Sequence, residues 1–166
     1  MVAMLLSLTS FTTLHAQLKK TKHNKPVLLK SIAREDKLKI VANYFEYLFK
    51  TRDFASLQKI IAKDAVYTQA EGLPYGGTYT GFSEWVNMYT KAAGYFDLQI
   101  EKEPVYFVSD KEDNVIINFT IRCKMKKTGK EISMPVLEYF EVKDGLIKAV
   151  QPFYFDTKIF TEAING

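Results

Sequence analysis

The sequence predicts an α+β domain in which a curved antiparallel sheet lies against helices on one face. Three observations predict it. Segments with apolar residues at helical spacing, broken by one alternating segment, fill the first half, and four alternating segments fill the second half. Two breaks between those last segments, Lys127-Thr128-Gly129-Lys130 and Lys143-Asp144-Gly145, carry Gly at hairpin positions. The order is helix, helix, strand, helix, then four strands.

Each element has its own signal. Met1 to Leu8 is apolar, and Leu14-His15-Ala16 ends in a small residue before Gln17, which is the pattern of an export signal cleaved after Ala16. The apolar run is too short to span a bilayer as a helix, which needs about 20 residues. This predicts a periplasmic or secreted protein. Residues 17–30 read as a basic linker, and 31–166 as one domain. A helix starts at Ser31 and carries the stripe Leu38, Val41, Phe45 and Leu48. Thr51-Arg52-Asp53 breaks it, and Asp53 caps a second helix that buries Leu57, Ile60 and Ile61. Ala65 to Glu71 alternates as a strand, and Gly72 to Gly81 is a turn-rich loop. The third helix, about 82–93, carries Phe82, Trp85, Val86 and Tyr89, and Gly94 ends it. The strands then run about 97–109, 114–127, 131–143 and 146–156.

Charge and composition exclude several functions. The 166-residue chain has 23 Lys and Arg against 19 Asp and Glu, a net charge of +4. Six of the positive charges fall within residues 17–34, and no acid precedes Glu35, so the remainder is slightly acidic. A nucleic-acid reader would carry its basic patch on the domain itself, so nucleic-acid binding is not expected. His15 and His23 both precede the domain, which removes Ser-His-Asp and Cys-His catalysis from it. No His/Cys cluster suits zinc, and neither GxGxxG nor GxxxxGK[ST] occurs. The expectation is a domain with no metal and no nucleotide cofactor. Cys123 is alone and reads as a small buried hydrophobe.

The candidate site residues come from strand and helix faces. In MPVLEYFEV, alternation places Met134, Val136, Glu138, Phe140 and Val142 on one face, four apolar residues and one carboxylate. Burial of that face would raise the Glu138 pKa and make it an acid or a neutral hydrogen-bond donor. The last strand sets Val150, Pro152, Tyr154 and Asp156 on one face and Gln151, Phe153 and Phe155 on the other. Both faces are apolar enough for cover by helices on one side and a partner on the other. Tyr67, Gln69 and Glu71 share a face of the first strand, and Trp85 and Tyr89 one of the third helix. Ten Tyr and twelve Phe suit an aromatic-lined pocket for a flat apolar ligand. Its predicted lining is Tyr67, Gln69, Trp85, Tyr89, Val136, Val150 and Tyr154.

The segments VANYFEYLFKTRDFASLQKIIAKDAVY, GGTYTGFSEW, EYFEVKDGLIKAV and PFYFD, in this order and spacing, resemble the nuclear transport factor 2-like superfamily. The nearest branches are the SnoaL-like polyketide cyclases and ketosteroid isomerase. The resemblance spans roughly residues 35–160. It implies a cone, with a bent sheet wrapped around three helices and an apolar cavity open at one end, and it implies dimerisation through the sheet. It also matches Glu138 to the protonated acid of ketosteroid isomerase, Tyr44 to its helix-one tyrosine, and Asp156 to an acid at the cavity mouth of SnoaL-like proteins. The base position falls on Gln69, an amide that cannot abstract a proton. Three readings stand: a binding domain for a small apolar molecule, a proton-transfer enzyme using Glu138, Tyr44 and Asp156, and a non-catalytic dimerising module.

Overall fold

The computed structural model of the protein describes residues 33–166. The expected export signal, the linker and the Ser31 cap lie outside the described residues. Helix α1 (Arg34–Phe45) buries Val41, Tyr44 and Phe45, then widens into a π-helical turn, Glu46–Thr51, that buries Leu48. The chain leaves this turn through Arg52 in the left-handed conformation (φ 59°). Helix α2 (Phe54–Ile60) follows, and Asp53 caps it, its Oδ1 accepting from the Ser56 N–H at 3.0 Å. The cap satisfies a backbone donor that has no partner inside the helix.

The remaining elements are β1 (Ile61–Gln69), β2 (Gly77–Thr80), α3 (Gly81–Tyr95), β3 (Phe96–Val108), β4 (Asn114–Met125), β5 (Glu131–Lys143), β6 (Leu146–Tyr154) and α4 (Thr157–Asn165). They form one six-stranded sheet in the order β2-β1-β6-β5-β4-β3. The hairpin between β5 and β6 turns through Asp144 (φ 54°) and Gly145 (φ 76°), the positive φ pair that a two-residue hairpin loop needs. Register shifts in β3 near Lys102 interrupt its ladder with β4, the kind of irregularity that bends and twists a strand. In β5 every predicted inward residue is buried and its neighbours lean outward.

The structure departs from the sequence reading in four places. The sheet is mixed rather than wholly antiparallel, because β1 lies parallel to β6. The loop after β1 contains β2, four residues paired back onto Val66 to Gln69. Gly94 lies inside the last turn of α3, which runs on to Tyr95. The chain does not end in a strand: Asp156 caps α4, its Oδ1 accepting from the Ile159 N–H at 2.9 Å, and α4 buries Phe160, Ala163 and Ile164.

Lys37 is fully buried on α1, against the usual exposure of lysine. Its Nζ donates to the carbonyls of Ser109 (2.7 Å) and Glu112 (2.6 Å) and so ties the β3–β4 turn to the helix. Cys123 is buried, and desolvation pushes its thiol up to about 12, which leaves it an inert apolar group.

Candidate ligand-binding site

The inward face of the sheet and the helices enclose a cavity of about 320 Å³. Its wall is mainly apolar: Leu48 and Phe49 from the π-turn, Met88 from α3, Phe96 from β3, Phe119 and Ile121 from β4. Phe160 of α4 joins the wall and stacks on Tyr154, ring centroids 5.4 Å apart. Arg52, Phe54 and Asp97 also line it and are exposed, so they mark the mouth. Cavities of this size hold small ligands when a few polar groups converge on an apolar wall.

Glu138 is the carboxylate on that wall. It stands mid-β5, opposite Pro152 on β6 and Ile117 on β4, and is 2% exposed. Tyr44 and Tyr67 each donate to its Oε1 at 3.4 Å. Tyr89 sits between the two tyrosines, donating to Tyr67 Oη at 3.3 Å and lying 3.1 Å from Tyr44 Oη. Burial holds all three phenols well above their usual range, so they stay neutral. Oε2 of Glu138 has no hydrogen-bond partner among the described residues.

Desolvation pushes the Glu138 carboxyl from 4.5 up to about 8, against the two tyrosine bonds, which favour the charged form. The acid is therefore protonated at neutral pH. Because Oε1 already accepts two bonds, the proton belongs on Oε2. The site thus offers a neutral O–H donor in an apolar surround, where an unpaired polar group costs about 1–3 kcal/mol until something accepts from it.

A second polar group lies further along the same wall. Gln69 Oε1 accepts from the Ala70 N–H at 3.2 Å, which fixes the amide so that Nε2 donates to Tyr154 Oη at 3.1 Å. The hydroxyl of Tyr75, from the loop after β1, lies beside Tyr154 Oη, close enough to push its own pKa up, but makes no well-formed hydrogen bond among the described residues.

The structure brings together most of the predicted site residues. Glu138, Tyr67, Gln69, Tyr89, Val136 and Tyr154 line the cavity. Tyr44 does not line it and reaches it through its contacts with Glu138 and Tyr89. Trp85 and Val150 border a separate, much smaller void with Ile61 and Ala65. Trp85 stacks on Tyr44 (5.5 Å) and meets Tyr89 edge-on (5.3 Å), so it sets the rings that hold Glu138. Asp156 does not line the cavity and spends its carboxylate on the α4 cap. Tyr75, Met88, Phe96 and Phe160 belong to the wall without having been singled out. Tyr75 gave no periodic signal in its loop. Phe160, with Ala163 and Ile164 behind an Asp, did carry a readable helical pattern. Among the described residues no group of three His, Cys, Asp or Glu is placed to hold a metal.

Residues 41–150 match the model of the SnoaL-like domain, and the chain belongs to that family. Solved structures share its fold. A nuclear transport factor 2-like protein from Burkholderia xenovorans LB400 superposes with a TM-score of 0.73 at 16% identity, over 81% of this chain and 100% of that one. TerC, crystallised with polyporic acid, gives 0.69 at 15% identity, over 79% and 99%. A candidate polyketide cyclase from Xanthomonas campestris pv. campestris gives 0.66 at 18% identity, over 79% and 98%. No curated protein matches the chain.

Proposed function

We propose that the domain binds a small, largely apolar molecule in this cavity and holds one acceptor oxygen of it, a carbonyl or ether, on protonated Glu138. The observation that carries the reading is Glu138 Oε2, buried, protonated and without a partner on an aromatic wall. The SnoaL-like fold and the crystallisation of TerC with polyporic acid support a small-molecule role. The test is a calorimetric titration of aryl ketones, preceded by a thermal-shift screen. A ligand at a hundred times its dissociation constant adds about 2.7 kcal/mol of stability. Affinity is expected to be constant below pH 8 and to fall about tenfold per pH unit above it, as Glu138 loses its proton. Glu138→Leu weakens ketone binding and abolishes its pH dependence. Ketone binding indifferent to both pH and Glu138→Leu refutes the reading.

The same acid gives the alternative reading, a proton-transfer enzyme in which Glu138 stabilises an enol oxygen. That reading needs a base. Gln69 cannot serve, and Asp97 at the mouth is engaged with Lys126 at 3.4 Å. The balance favours binding without turnover.

Two further features belong to this proposal. The outer sheet face exposes Val105, Leu137 and Phe153 in one row across β3, β5 and β6, with Phe107 and Ile116 beside it. Exposed apolar patches of this kind mark interaction sites, and a second copy of the chain would cover this one. Light scattering of wild type and Leu137→Lys tests it: a dimer that the variant splits supports it, and a wild-type monomer at micromolar concentration refutes it. Export rests on the pattern of residues 1–16, and a secreted-reporter fusion of that segment tests it.

A further inference from the structure

The proposed ligand site has two donor stations rather than one, and their polarity can be read from the hydrogen bonds. At Glu138, Oε1 is committed as an acceptor to Tyr44 and Tyr67, so what remains is the Oε2 hydroxyl. At the second station the Ala70 N–H can only donate. It therefore fixes Gln69 Oε1 as its acceptor and turns the amide nitrogen toward Tyr154. Tyr154 Oη accepts from that nitrogen, which leaves the proton of Tyr154 to be given away. Tyr75 Oη, 2% exposed as a residue, is a second hydroxyl at the same place with no hydrogen bond among the described residues. Both stations therefore present O–H donors, the Glu138 hydroxyl at one end and the Tyr154 and Tyr75 hydroxyls at the other.

The spacing follows from the sheet. Glu138 pairs with Pro152, and Tyr154 stands two residues further along β6, so the backbone positions that carry the two stations are offset by about 7 Å of strand rise. Pro152 and Val136 make the wall between them apolar. Resting on the reading of the cavity as a ligand site, we infer that its ligand is a neutral molecule with two acceptor oxygens on one flat apolar frame, one held by Glu138 and the other by Tyr75 and Tyr154. A dicarbonyl fits this description; an alcohol or a monoketone leaves one station unpaired. Unpaired buried donors penalise the wrong ligand more than an extra methylene does, so the two stations set specificity.

The test uses three probes of nearly one shape: 1,4-diethylbenzene, 4-ethylacetophenone and 1,4-diacetylbenzene. Standard bond lengths put the two oxygens of the last roughly 7 Å apart. Dissociation constants are measured by calorimetry with the whole protein at pH 6.5. The expected result is that 1,4-diacetylbenzene binds about tenfold more tightly than 4-ethylacetophenone, the worth of one added hydrogen bond. Tyr75→Phe and Tyr154→Phe each shrink that advantage, and the double variant abolishes it while still binding 4-ethylacetophenone. Tyr75→Phe removes a hydroxyl that makes no well-formed bond and keeps the ring, and its melting temperature checks independently that it folds. Equal binding of the two ketones, or an advantage that survives in the double variant, overturns the inference and leaves the single-oxygen reading intact. Failure of all three probes to bind overturns both.

Discussion

Replacing Glu138 by Gln is expected to stabilise the free protein, and by an amount that depends on pH in a defined way. The carboxyl moves from 4.5 to about 8 on folding. Between those values the folded state holds a proton that the unfolded state has released, so stability falls as pH rises. Below pH 4.5 both states are protonated and the penalty is absent. It grows by about 1.4 kcal/mol per pH unit, reaches roughly 3 kcal/mol at pH 7, and levels near 5 kcal/mol above pH 8. Gln has the same shape, keeps an oxygen for Tyr44 and Tyr67, and cannot ionise. The stability difference, Glu138→Gln minus wild type, is therefore flat to pH 4.5, rises through 8 and is flat again. Other titrating groups cancel in this difference. Urea denaturation of both proteins at half-unit steps from pH 4 to 9 gives the curve. A difference independent of pH between 5 and 8 would refute the placement of Glu138 as a buried acid without a cationic partner.

Other outcomes follow from single contacts. Tyr75→Phe does not lower the melting temperature of the free protein, because its hydroxyl makes no well-formed hydrogen bond; a lowered melting temperature contradicts this. Tyr67→Phe removes one of the two bonds to Glu138 Oε1, so the pH midpoint of ketone binding moves upward, read from the same calorimetric profile. Asp53→Ala lowers stability through loss of the α2 cap and leaves ligand affinity unchanged, checked by urea midpoint and titration. Lys37→Met leaves the Ser109 and Glu112 carbonyls without their donor and costs about 2–3 kcal/mol, and hydrogen exchange shows the β3–β4 turn opening first.

What could be read in the sequence was what local pattern controls. The alternation of MPVLEYFEV placed Glu138 inward because a strand has period two and its neighbours at that period are apolar. Asp53 announced its helix because a cap is a local hydrogen bond. Asp144-Gly145 announced its hairpin because positive φ is a property of those residues themselves. The features that escaped depend on distant partners. Asp156 looks like the end of a strand until Phe160 has the cavity to fill. Lys37 reads as solvated until the β3–β4 turn brings two carbonyls to its ammonium group. Tyr75 sits in a turn-rich loop with no period, and only the fold of β1 back onto β2 carries it into the wall. Trp85 was read as ligand-lining from its helix face, yet that face meets Tyr44 and the small void instead. The glutamine at the expected base position was legible, while the use the fold makes of it, orienting Tyr154, was not.

The central claim is that the cavity holds a neutral carboxylic acid. Its most direct measurement is the carbon-13 chemical shift of the Glu138 side-chain carboxyl, assigned by comparison with Glu138→Gln and followed from pH 4 to 10. The account predicts a single titration with its midpoint near 8. A midpoint near 4.5, the value of a solvated glutamate, would contradict it.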